Sequence, residues 1–154
     1  MNLYQKVMRW AGTKRWFGPI GRYVLTPLDK RLRGRSVSLS TFATDFAMGY
    51  LTTIGRRSGQ ERTVPLLYVV PDGALAAVVG TNFGGPNHPA WVANLEAQPR
   101  ATWQVDEEIE VTARLAAPVE HRGLWPQFVA MWPGYEGYVM RSERDPRMFI
   151  LERR

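Results

Sequence analysis

The chain has 154 residues, 45% hydrophobic and 22% charged, which suits one globular domain able to close a single core. It contains no cysteine, excluding disulfides, thiolate-bound zinc, iron–sulfur clusters and a thiol nucleophile. Its 2 histidines, His88 and His121, lack neighbours at ligand spacing, so no metal site is expected.

The net charge of +6 is unevenly placed. From Met1 to Ser36, nine basic residues face Asp29 alone. Arg56, Arg57 and Arg62 form a second basic cluster, and the rest of the chain is net acidic. No run reaches the ~18 apolar residues of a membrane-spanning helix. The basic start lacks an apolar signal core and a cleavage site, so the expected compartment is cytoplasmic.

In chain order, Leu3, Val7, Trp10 and Ala11 predict a helix over 2–17, closed by Gly18 and Pro19. A second helix is expected over 20–32, interrupted by Pro27, and a polar connector over 34–44. Residues 1–36 therefore read as a basic amphipathic helical segment and 37–154 as the folded domain. Period-two patterning predicts strands over 47–54 and 61–70, joined by a glycine-bounded turn, with Pro65 marking an edge position or a bulge. Asp72-Gly73 predicts a hairpin into a strand over 74–80. A Gly/Asn/Pro-rich loop and a helix over 89–97 follow, then a hairpin of 101–105 with 109–115. A helix over 118–132 should turn Leu124, Phe128 and Met131 inward and be kinked or split at Pro126. A turn or short helix over 135–141 and a strand over 147–152 close the chain. The pattern gives a mainly β (α+β) fold, a small antiparallel barrel with N-terminal helices and inserted helices.

Three stretches carry functional groups. Gly55-Arg56-Arg57-Ser58-Gly59-Gln60-Glu61-Arg62-Thr63 places three guanidiniums and two hydroxyls around a turn. Such a turn suits phosphate or carboxylate, and a solvated basic hairpin remains equally open. Gly80 to Asn94 offers Thr81 and Asn82 at a strand end, with Trp91 and Asn94 three apart on a helix. That pair suits a flat heteroaromatic ring or, equally, a helix cap with a core tryptophan. His88 reads as a loop or capping residue. In Trp132-Pro133-Gly134-Tyr135-Glu136-Gly137-Tyr138, the two phenols either serve a substrate as proton donors or simply pack.

Taken together, LTTIGRRSGQERTVPLL (51–67), NHPAWVANL (87–95) and WPGYEGY (132–138) resemble the deazaflavin-dependent nitroreductase family of flavin-binding split barrels. The resemblance runs from about Tyr50 to Leu151. It implies a split β-barrel that binds coenzyme F420 and transfers a hydride to a small-molecule quinone, enone or nitroaromatic. Arg56, Arg57, Ser58, Gly59, Gln60 and Arg62 would hold the anionic tail, with Thr81 and Asn82. Pro65, Leu66, Leu67, Ala90, Trp91 and Asn94 would flank the ring, and Tyr135 and Tyr138 would line the substrate side as catalytic residues. Arg57 stands where many members have lysine, Thr81-Asn82 replaces a Ser-Lys pair of some, and Val92 a tyrosine. With 17 arginines against 3 lysines, the chain fits a GC-rich genome, and the resemblance implies an actinobacterial one.

The N-terminal segment, with Trp10, Trp16 and Phe17, suits either packing on the barrel or an anionic membrane surface on the inner face of the cell membrane. No nucleic-acid motif is present. A non-catalytic F420 or flavin binder and an FMN-dependent reductase remain as alternatives, and a monomer and a homodimer are both open.

Overall fold

Strand β1 (Met48–Ile54) alternates half-buried and buried residues, with Leu51 and Thr53 turned inward. Its partner β2 (Glu61–Val69) lies antiparallel in a register that sets Leu51 against Val64 and Thr52 against Thr63. These elements belong to a computed structural model of the protein that describes residues 47–154. The expected N-terminal helices and connector lie outside the described residues.

Strand β3 (Ala76–Gly80) is followed by a 3-10 turn (Asn82–Gly84) and helix α1 (Ala90–Ala97). Strands β4 (Arg100–Gln104) and β5 (Glu108–Leu115) form a hairpin. Helices α2 (Pro118–Met131) and α3 (Gly134–Ser142) then precede the last strand, β6 (Arg147–Arg153). The six strands close a barrel in the order β1-β2-β3-β6-β5-β4, every pairing antiparallel. Closure removes most of the aggregation-prone edge of an open sheet, leaving residues 61–67 of β2 without a β3 partner.

The alternation of β3 and β6 builds two apolar layers. Ala76, Val78, Phe149 and Leu151 point into the barrel, where they meet Leu51, Trp91, Val92, Leu95 and Trp103. Ala77, Val79, Met148 and Ile150 point outward, beneath Leu124, Phe128, Trp132, Tyr135 and Tyr138 of the α2–α3 layer. Each fully buried Leu, Ile or Phe stabilises the fold by roughly 1.5–3 kcal/mol. Gly49 is required by this packing, since a Cβ there would lie 2.3 Å from the Trp103 ring. Gly80 lets α1 approach the sheet, since its Cβ would meet Val92 Cγ2 at 2.6 Å.

Pro65 occupies an edge within this closed barrel. Tyr68 N donates to Ala47 O at 3.1 Å, which fixes the phase of the β1–β2 ladder. Alternation then turns Val64 and Leu66 toward β1, and the backbone groups of Thr63 and Pro65 away from it. On that far side β2 pairs with β3 only at Tyr68 and Val69. The missing proline N–H therefore costs no ladder bond.

Of the two outcomes expected at Pro126, splitting does not occur: α2 is continuous through Met131. Pro126 and Arg122 both sit on the exposed face, so the Arg122 carbonyl that loses its partner is open to water. Leu124 and Phe128 anchor the opposite face, with Met131 packed against them. The start of α2 is held by Glu120, which accepts from Ala117 N at 2.7 Å and pairs with Arg114 through two bonds of 2.8 Å. Residues 135–141, open between a turn and a short helix, lie within α3. Among the described residues, no helix is long and apolar enough to cross a membrane.

Candidate functional site

The bend between β1 and β2 is closed by its own backbone. Gly55 N donates to Gln60 O at 2.7 Å and Gly59 N to Gly55 O at 2.8 Å. Gly59 adopts φ +66°, a left-handed conformation that glycine takes without a Cβ penalty, and a Cβ there would face open space. Arg56, Arg57, Ser58, Gly59, Gln60 and Arg62 are all exposed. Among the described residues, no carboxylate forms an ion pair with Arg56, Arg57 or Arg62. Among the described residues the bend is thus a concentrated cationic surface beside the strand edge at Thr63–Pro65.

Asn94 fixes this bend to α1. Its Oδ1 accepts from Arg56 N at 3.1 Å, and its Nδ2 donates to Thr53 Oγ1 at 3.0 Å. Asn94 and Thr53 are buried, at 5% and 1% exposure, so the amide satisfies two groups with little access to water. Its side chain holds the bend rather than presenting itself to a ligand. Trp91 is likewise interior, 5% exposed and edge-on to Phe149 with centroids 5.9 Å apart. The indole packs the barrel instead of offering a stacking face at the surface. Ala90, at the start of the helix, is exposed.

The loop after β3 is strained and heavily braced. Asn82, Phe83 and Gly84 are successively left-handed, with φ of 50°, 52° and 73°. For the two non-glycine residues this costs on the order of 1–3 kcal/mol each. Thr81 is buried, and Asn82 Nδ2 donates to Asn87 O at 2.8 Å. The main brace is Arg144, which follows α3. Its guanidinium donates to the carbonyls of Thr81 at 2.8 Å, Asn87 at 3.1 Å, Gly85 at 3.2 Å and Gly80 at 3.3 Å. It also meets His88 Nδ1 at 2.9 Å. A guanidinium can only donate, so Nδ1 accepts and the ring proton sits on Nε2. Burial, then Arg144 and Arg147, push the His88 pKa below its ordinary value, against the opposing pull of Glu96 and of the Gly80 carbonyl. The sequence reading passed over Arg144, because it lies outside the three motifs and some 60 residues from the carbonyls it serves.

The aromatic layer adjoins this loop. Phe83 stands edge-on to Tyr138 at 6.0 Å, and Tyr138 edge-on to Tyr135 at 5.9 Å. Trp132 Nε1 donates to Tyr138 Oη at 3.2 Å, leaving the phenol its own proton to donate. Burial raises the pKa of both phenols, so both stay protonated through neutral pH. Arg141 lies with its guanidinium carbon 5.2 Å from the centre of the Tyr138 ring.

The structure thus joins Leu67, Phe83, Tyr135 and Tyr138 in the outer layer, and Asn94 with the cationic bend. Leu66 belongs with Trp91 to the barrel interior. Among the described residues, no group of three or more His, Cys, Asp or Glu side chains is placed to hold a metal ion.

A closed six-stranded antiparallel barrel with a cationic bend and an outer helical layer defines a cofactor-binding split barrel. Within that class, the chain belongs to the F420H(2)-dependent quinone reductase family, which it matches over residues 29–153. It is therefore an oxidoreductase whose cofactor is coenzyme F420. It is 29% identical over 113 residues to an F420H(2)-dependent quinone reductase of Mycobacterium tuberculosis, covering 68% of this chain and 72% of that one. A solved F420-H2 dependent reductase (FDR-A) superposes with a TM-score of 0.62 at 33% identity, covering 69% of this chain and 94% of that one. Another structure, a domain-swapped dimer, gives the same score and identity and is covered to 80% of its length. The heme storage protein HutZ of Vibrio cholerae shares the fold alone, with a TM-score of 0.53 at 11% identity.

Proposed function

We propose that this protein reduces a quinone with F420H2, holding the cofactor's anionic tail on the Gly55–Arg62 bend and its ring beside the open edge of β2. The observation that carries this reading is the group of three exposed guanidiniums without a carboxylate partner among the described residues. A phosphodiester with carboxylates would meet bidentate donors there, each charge-assisted bond contributing ~1.5–3 kcal/mol. The residues fit the cofactor in a second respect, since the open space at Gly59 lets a ligand approach the backbone closely.

When bound, reduced F420 supplies a hydride equivalent, and the protein's part is binding, orientation and electrostatics. Arg56, Arg57, Ser58, Gly59, Gln60 and Arg62 hold the tail, assisted by Thr81 and Asn82. Pro65, Leu66 and Leu67, with Ala90 and the start of α1, bound the ring. We assign Tyr135 and Tyr138, buried in the outer aromatic layer, to the acceptor side, where as protonated phenols they would donate hydrogen bonds to the oxygen on which negative charge develops. Asn94 and Trp91 act from behind, through the backbone they support.

Quinones are favoured as acceptors because the matched family and its mycobacterial relative are named for them, and an apolar aromatic layer suits a flat lipophilic ring. Enones and nitroaromatics are further acceptors of the same hydride. We place the protein in the cytoplasm, at the inner membrane surface where lipid quinones reside, through the basic residues 1–36. Flotation with anionic vesicles, comparing the full chain with one starting near Val37, tests that placement.

The deciding experiment titrates the protein with F420 and with FMN while following tryptophan fluorescence, then supplies F420H2 with a naphthoquinone, an enone and a nitroaromatic. The expected result is F420 binding that weakens with salt, and fastest turnover on the quinone. Tight FMN binding without F420 binding overturns the proposal.

A further inference from the structure

The Arg144 guanidinium gathers four backbone carbonyls and a histidine nitrogen of one loop. That loop contains the only run of non-glycine residues in the described chain held at successive positive φ, Asn82 and Phe83. Left to itself, such a run relaxes toward ordinary turn geometry, because each left-handed non-glycine residue is intrinsically unfavourable. The brace is cooperative: Arg144 Nη2 and Asn82 Nδ2 share the Asn87 carbonyl, and Arg144 Nη1 joins the Gly80 carbonyl to His88.

We infer that Arg144 is a positioning residue for the cofactor, holding Thr81 and Asn82 in their binding conformation, and that neutral His88 is the switchable fifth acceptor of this brace. The inference rests on the proposed function, since Thr81 and Asn82 are there assigned to the cofactor's anionic groups. A protonated imidazole carries hydrogens on both nitrogens and must turn Nδ1 away from a guanidinium 2.9 Å distant. The charged groups around the ring are Arg144, Arg147 of β6 and Glu96 of α1, and Arg147 lies 3.6 Å from Glu96. Burial and the two cations outweigh the carboxylate and the Gly80 carbonyl, and so oppose protonation. The brace is therefore complete above the ordinary histidine range and is lost only as pH falls below it. Proton and cofactor are thus predicted to compete through the loop, without sharing a contact.

The test measures F420 affinity of the full chain by tryptophan fluorescence at about pH 8 and about pH 5, on either side of the free histidine value. His88→Asn supplies an acceptor that cannot titrate, and ionisations of the cofactor itself enter both proteins alike. Wild type should lose at least about threefold more affinity on acidification than H88N, while the two agree at about pH 8. Arg144→Lys keeps the charge but not the fork. It should raise the KM for F420H2 about tenfold with kcat at saturation within about twofold, because the loop binds rather than reacts. Equal acid sensitivity in wild type and H88N, or an R144K loss confined to kcat, overturns the inference while leaving the proposed function intact. A wild-type protein that fails to bind F420 at either pH overturns both.

Discussion

The Gly55–Gln60 bend and the Gly80–Pro89 loop both bring polar groups to a barrel mouth, but they are held by opposite means. The bend closes on its own backbone and needs one outside contact, the Asn94 amide, which is neutral and buried. The loop runs through left-handed residues and depends on a charged side chain from beyond α3. A self-closed turn leaves its arginines free to meet a ligand, whereas a braced loop spends an arginine on its own carbonyls. Seventeen arginines in one chain therefore do unlike things, and sequence cannot tell a ligand-facing guanidinium from a structural one.

The comparison breaks most readily at the bend's charges. Arg56→Ala with Arg62→Ala should weaken F420 binding about 100-fold or more, as two charge-assisted bonds of ~1.5–3 kcal/mol disappear. Binding should also become less salt-dependent, with the melting temperature nearly unchanged because both side chains are exposed. If the double variant binds like wild type, the bend is only a solvated hairpin.

Asn94→Ala should act on stability first. It strands the Thr53 hydroxyl, 1% exposed, and the Arg56 amide, costing about 1–3 kcal/mol in denaturant unfolding, with a smaller loss of affinity as the bend loosens. Gly84→Ala probes the other loop. At φ +73° with its new Cβ 3.0 Å from Tyr138 Cα, it should cost roughly 1–2 kcal/mol and disturb F420 affinity more than N94A does at equal destabilisation. The ratio of affinity loss to stability loss in these two variants measures how differently the loops are built.

The smallest effect is expected at Glu120, which pairs with Arg114 and the Ala117 amide rather than with either loop. Arg114, then the Ala117 amide, lower its carboxyl from 4.5 to about 2. Its contribution is therefore present above pH 4.5 and fades as pH falls toward 2. Glu120→Gln should lower the melting temperature slightly at neutral pH, with the gap to wild type closing under acid. A gap that persists under acid would place the effect in packing rather than charge.

Much of this architecture was legible beforehand because it depends on local periodicity. Alternation along 48–54 and 108–115, the Asp72-Gly73 hairpin and the inward Leu124 and Phe128 follow from side-chain direction alone, which is fixed by the backbone repeat. Pro126 does not split α2 because the cost of a helical proline depends on whether the abandoned carbonyl meets water, and Arg122 lies on the wet face. Trp91 and Asn94 were rightly placed on one helix, but spacing does not reveal that this face turns into the protein.

Sequence alone determined that the chain closes a small antiparallel barrel, that it carries a cationic glycine bend, and that its aromatic motif follows a long helix. These are properties of runs and turns, decided within a few residues. Only the tertiary structure decided that Asn94 holds the bend, that Tyr138 receives the Trp132 indole, and that Arg144 collects a loop some 60 residues earlier in the chain. Such bonds join groups that meet only after the barrel has closed, and nothing in the spacing of residues along the chain encodes which donor will find which acceptor.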